Sequence, residues 1–132
     1  MLRQDFIIRI IERAAAALRR AMGQQAEGED NLALEQLQQA YLELLRVDKH
    51  SFDNLDVKTL TSLLGPPEVV RTLARVMTIE ARSLDRLDRA YLARQRRTRA
   101  VELYLAVGVG EQPEDLEALR ELHSWLKQRR AH

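Results

Sequence analysis

Arginine recurs through the middle of the chain at spacings that gather it on one side of a helix. Arg71, Arg75, Arg82, Arg86 and Arg89 fall within about 60° of wheel angle at the helical period, a stripe of positive charge. Four more, Arg94, Arg96, Arg97 and Arg99, crowd the stretch ARQRRTR. Guanidinium groups in such rows hold carboxylates or phosphates, so the chemistry on offer is recognition of an anion rather than the making of bonds. Like charges four apart on a helix, Arg71 with Arg75 and Arg82 with Arg86, cost roughly 0.2–0.5 kcal/mol each. Three arrangements would relieve them: a solvated face, ion pairing with an acidic stretch within the chain or across a dimer, or an external polyanion or acidic protein. On the last reading Arg71, Arg75, Arg82, Arg86 and Arg89 are the candidate partner-binding residues.

Other residue types that could do chemistry lack the spacing for it. His50, His123 and His132 show neither His-x-x-x-His nor Glu-x-x-His, so they predict no metal site, and His123 is expected to pack on the apolar side of the last helix. The carboxylates of EGED and EQPEDLE lie where helices should begin, and there they serve the unpaired backbone N–H groups. Ser51, Ser62, Ser83 and Ser124 have no visible His and Asp partners, and GVG at 108–110 lacks the further glycines of a phosphate loop. The expectation is a chain that is not an enzyme and takes no cofactor.

Charge and composition narrow the class. With 21 basic and 20 acidic residues the chain is near neutral, which argues against a dedicated nucleic-acid binder. No aromatic lies beside the ARQRRTR cluster to stack on bases, so that cluster is expected to form the polar corner of a helix pair. The distribution is uneven: residues 27–68 carry 3 basic and 9 acidic groups, and residues 69–99 carry 9 basic and 3 acidic. No cysteine is present, which fits a reducing compartment and predicts the cytoplasm. The opening run MLRQDFIIRIIERAAAALRR is interrupted by Asp5 and Glu12, too soon for a membrane span of about 18 apolar residues.

The elements that must position these residues are helices. With 132 residues, 45% of them apolar, only 5 Gly and 3 Pro, and no convincing alternation at period two, the chain predicts one all-α domain over 1–132. Its expected build is about six helices packed as antiparallel hairpins. The first covers 2–22, its apolar arc of about 200° wider than one packing surface needs, with Gly23 as C-terminal cap. That surplus predicts packing on a second side, either inside the domain or against a second copy. A second helix runs from Asp30 or Asn31 to about Val47, and a short one follows a cap at Asp56 and ends at Gly65. Pro66-Pro67 starts a long helix that reaches about Leu92, since proline at the first helical position leaves no N–H unpaired. A further helix is expected from near Arg97 to Val107. The last begins near Glu114 or Asp115 and repeats Leu116, Leu119, Leu122 and Leu126.

Helix pairs of this kind raise the question of internal repeats, which in the tetratricopeptide type recur at about 34 residues. Gly28 leading into Ala33, Leu37 and Ala40 is similar to the second half of such a repeat. Leu84, Leu87 and Tyr91 sit at first-helix spacing, with Ala100, Tyr104 and Val107 at second-helix positions and Asp88 where a small residue is usual. Ala33 and Ala100 lie 67 residues apart, close to two repeat lengths. Both tetratricopeptide-like packing and an irregular bundle bury these residues, and both stay open. The opening MLRQDFIIRIIE, followed by a Leu- and Ala-rich helical repeat, resembles a family of short bacterial all-helical proteins of unassigned function with tetratricopeptide-like segments. The resemblance covers residues 1 to about 48, and 74–107 loosely. It implies a fold and a bacterial source, and carries over no functional residue. The sequence thus predicts a helical scaffold that binds a protein partner, with a polyanion binder acting through the Arg stripe as the alternative.

Overall fold

A computed structural model of the chain describes residues 2–45 and 53–131. Over the described residues the chain is all-α, with six helices and no strand: α1 Leu2–Ala26, α2 Asp30–Leu45, α3 Val57–Leu64, α4 Pro67–Arg86, α5 Ala90–Val107 and α6 Pro113–Ala131. None of these helices is long and apolar enough to cross a membrane. The expected end of the second helix at Val47, together with His50, Ser51 and His132, lies outside the described residues.

Two antiparallel hairpins, α1 with α2 and α4 with α5, are the main packing units. α2 and α1 both lie on α4, α3 rests on α5 and α4, and α6 lies across α4 with a lighter contact to α5. The hairpins turn by the same device. Gly28 and Asp88 both have left-handed backbone, with φ of 76° and 60°. In the first turn the Glu29 N–H donates to Gln24 O at 2.8 Å and the Gly28 N–H to Gln25 O at 3.0 Å. In the second the Arg89 N–H donates to Leu84 O at 2.8 Å and the Asp88 N–H to Asp85 O at 3.1 Å. Both are the paired bonds of a Schellman ending, which satisfies carbonyls that the helix leaves open.

This second turn corrects the sequence reading at three points. The long helix stops at Arg86 rather than near Leu92, and the next begins at Ala90 rather than Arg97. ARQRRTR is therefore the body of α5 and not a corner between helices. Leu84, Leu87 and Tyr91 do not share a helical face either: Leu87 caps α4 and Tyr91 is 71% exposed on α5. The hidden signal was Asp88, since aspartate tolerates the left-handed region better than most residues but is still strained there by its Cβ. Its side chain makes no bond among the described residues, so Asp88→Gly is expected to stabilise the fold by about 0.5–1 kcal/mol. Asp88→Val should destabilise it, and thermal melts of both variants check the pair.

Alanine sets the distance between helices. Ala14 and Ala21 on α1, Ala33 and Ala40 on α2, Ala74 and Ala81 on α4, and Ala93 and Ala100 on α5 are all fully buried. Each in the second hairpin stands 60 residues after its counterpart in the first, the same interval that separates Gly28 from Asp88. Equivalent positions are thus 60 residues apart rather than the 67 read between Ala33 and Ala100. With no side chain beyond Cβ, these residues let backbones approach, and Leu37, Leu73, Val76 and Leu103 fill the space between layers.

α4 occupies the centre and is buried on nearly every side, down to Thr72, Thr78, Glu80 and Ser83. Thr72 and Thr78 donate their hydroxyls to Glu68 O and Ala74 O one turn back, so neither buries an empty donor. Pro66 caps the helix start, and Asp56 caps α3 by accepting from the Thr59 N–H at 2.7 Å. That bond holds the Asp56 carboxyl below the usual carboxylate range. Gly23 turns out to lie inside α1, which continues to Ala26. On α6 the buried side is Asp115, Ala118 and Leu122, whereas Leu116 and Leu119 are 45% and 40% exposed and His123 faces solvent rather than the core.

Candidate functional site

Four of the five stripe arginines bond to the chain itself. Arg71 donates from Nε to Gly108 O at 2.9 Å and from Nη2 to Val107 O at 3.2 Å, closing the C-terminal end of α5. Gly110 lies against that guanidinium, where an added Cβ would come within 3.1 Å of it. Arg75 pairs through Nε with Asp115 Oδ1 at 3.1 Å and donates from Nη2 to Thr72 Oγ1. Arg82 grips both carboxylate oxygens of Glu121 at 2.9 and 3.0 Å through Nε, with Nη2 adding a third bond to Oε1. Arg86 reaches Gln25 O at 2.9 Å and Asp30 Oδ1 at 3.3 Å. Arg89 stands apart from these four at the N-cap of α5 and is exposed.

The counter-charges come mostly from α6, with the acidic 27–68 stretch contributing Asp30 alone to the stripe among the described residues. Asp115 is fully buried and also accepts from the Tyr104 hydroxyl at 2.7 Å. Burial first, then this carboxylate, pushes the Tyr104 phenol well above its ordinary range. Arg75 and Arg82 thus form the seat on which α6 is fixed, while Arg71 ties α4 to the end of α5 and Arg86 ties it to the α1–α2 turn.

Fixing α6 there opens a trough. Three helices bound a cavity of about 420 Å³: α1 supplies one wall, α4 the floor and α6 the other wall. Ile11, Ala15, Leu18 and Met22, with Arg19 beside them, make the α1 wall, the apolar four spaced four, three and four residues apart as in a seam that receives another helix. This is where the surplus apolar arc of the first helix goes. The floor carries Arg71, Arg75 and Arg82, and the far wall Glu114, Asp115, Glu117 and Ala118. With Arg75 and Arg82 neutralised internally, Glu68, Glu114 and Glu117 keep carboxylates that form no ion pair among the described residues. One side of the trough is oily with Arg19 at its edge, the floor keeps Arg71, which holds carbonyls only, and the far side is acidic.

Three of the four ARQRRTR arginines are structural, and Arg94 is exposed. Arg96 is buried in a network: its Nε lies 2.7 Å from Glu80 Oε1, its Nη1 donates to Asp53 Oδ1 at 3.1 Å, and Glu80 in turn accepts from the Tyr41 hydroxyl at 2.7 Å. Burial opposes the Arg96 charge, but Glu80, Tyr41 and Asp53 together hold its pKa above the ordinary arginine value. Burial and then Glu80 likewise raise the Tyr41 phenol well above its usual range. Arg97 pairs with Asp85 at 2.6 Å and lies over the half-buried Trp125, whose ring also sits 5.0 Å from the Arg129 guanidinium. Arg99 donates to the backbone carbonyls of Asp53 and Leu55, tying the start of α3 to α5.

Sequence reasoning found the arginines and the surplus arc of α1 but not the far wall. Glu114 and Glu117 were legible only as helix-start residues, because which helix faces α1 across α4 depends on tertiary topology. A comparison of the chain with protein-family models, curated proteins and solved structures finds no match.

Proposed function

We propose that the chain is a non-enzymatic interaction module of stacked, tetratricopeptide-like helical hairpins whose trough between α1, α4 and α6 receives an amphipathic helix of a partner protein. The observation that carries the reading is the trough's two-sided character. Ile11, Ala15, Leu18 and Met22 offer an apolar seam at helical spacing, and Glu68, Glu114 and Glu117 offer carboxylates around it that form no ion pair among the described residues. Such a surface fits a helix with a leucine ridge flanked by lysine or arginine. A polyanion fits it poorly, because Arg71, Arg75, Arg82 and Arg86 already hold carbonyls and carboxylates of the chain itself.

The reading is tested with two labelled helical peptides that share a leucine ridge, one flanked by lysine and one by glutamate, titrated by fluorescence anisotropy. The lysine peptide is expected to bind at least tenfold tighter, and the exposed double substitution Glu114→Lys with Glu117→Lys should reverse that order. No binding of either peptide, or no reversal, overturns the reading. Salt-sensitive binding of a generic nucleic-acid duplex tighter than either peptide would favour the arginine stripe as a polyanion site instead.

A further inference from the structure

The exposed edge of α1, which shares Ala15, Arg19 and Met22 with the trough wall, carries a pattern that is complementary to itself. Along it run Ile8, Glu12, Ala15, Arg19 and Met22, at alternating steps of four and three residues. Ile8 is 45% and Met22 37% exposed, large apolar side chains that no helix among the described residues covers. Glu12 and Arg19 are exposed and form no ion pair among the described residues.

About Ala15 the two ends are both apolar and the two charges between are opposite in sign. An antiparallel copy centred on Ala15 puts Ile8 opposite Met22 of the second chain, and Met22 opposite its Ile8. Ala15 meets its own counterpart on the twofold axis, where a methyl group lets two helix backbones come close. Glu12 then falls beside Arg19 of the other copy and Arg19 beside Glu12, giving two ion pairs related by symmetry, as an isologous interface requires. A parallel pairing in register would set Glu12 against Glu12 and Arg19 against Arg19, so charge selects the antiparallel arrangement. The core-facing residues of α1, Ile10, Ala14, Ala17 and Ala21, lie on a different side of the helix.

We infer that two copies of this chain associate through an antiparallel pairing of α1, locked by reciprocal Glu12 and Arg19 contacts around Ala15. A single helix pair buries less than the roughly 1,200–2,000 Å² of a standard stable interface, so the association is weak and reversible. The pairing edge shares Ala15, Arg19 and Met22 with the trough, so a second copy on α1 and a partner helix in the trough compete for those residues.

The test is sedimentation equilibrium over a wide concentration range on the whole chain. The unsubstituted protein is expected to show a monomer–dimer equilibrium. Glu12→Arg alone and Arg19→Glu alone each place two like-charged pairs across the axis and should weaken self-association at least tenfold. Mixing the two variants should restore the dimer, because the two arginines on the edge of the first variant then face the two glutamates on the edge of the second. Both positions are exposed, and circular dichroism of each variant checks that the fold is kept. A monomer at every concentration, a dimer indifferent to either reversal, or a mixture that stays monomeric overturns the inference. The sedimentation contains no peptide and reads Glu12 and Arg19, whereas the titration reads Glu114 and Glu117, so failure of one is distinguishable from failure of the other.

Discussion

Replacing Glu80 with alanine is expected to cost about 3–5 kcal/mol of stability, more than any surface change in this chain. Glu80 is 3% and Arg96 8% exposed, and the carboxylate is the nearest counter-charge to that guanidinium at 2.7 Å. Truncating the acid leaves the arginine charge in a poorly solvated position where, among the described residues, Asp53 near the surface is the remaining counter-charge. Moving an unpaired charge into protein is far costlier than losing a contact, which is why the single substitution is so damaging. The double substitution Glu80→Met with Arg96→Met removes both charges and should recover most of the loss. Urea denaturation of the three proteins reads the difference, and a double variant as unstable as Glu80→Ala would show that the network is held by something other than charge compensation.

Leu73→Ala is the second large effect, expected at about 2–5 kcal/mol. Leu73 is fully buried on α4, among side chains of a close-packed core that cannot collapse around the missing atoms. Leu116→Ala, on the exposed side of α6, makes the same chemical change and should stay within about 0.5 kcal/mol. The contrast matters because the two leucines look alike in sequence, each in a helix with leucine at helical spacing. Denaturant midpoints of the two variants decide between them.

Much of the architecture was legible from periodicity and end signals. Helix number, the proline start of α4, the Asp56 cap and the Gly65 stop all follow from local chemistry, and each is where local rules place it. The errors cluster where a local signal was absent or ambiguous. Asp88 turns the chain with the backbone of a glycine, so the apolar pattern on either side ran together into one long helix. Leu116 and Leu119 have the spacing of a buried face, but α4 receives the adjacent side of α6, carrying Asp115, Ala118 and Leu122. The choice was made by Arg75 and Arg82, whose carboxylate partners lie about forty residues downstream. Pairings at that distance leave no trace in a wheel diagram. The candidate site shared this fate: its apolar wall showed as excess hydrophobicity on α1, while its acidic wall depended on where α6 comes to rest.

The burial of α4 on nearly all sides bears on how the protein is made. A segment with so little surface fit for water is a hazard whenever it is unaccompanied, since its apolar sides would seek other chains. On the ribosome, however, the hairpin of α1 and α2 is synthesised first and can already be formed when α4 leaves the exit tunnel. The nascent helix meets a waiting seat on one flank, and α5, following through a three-residue turn, closes the other within moments of its emergence.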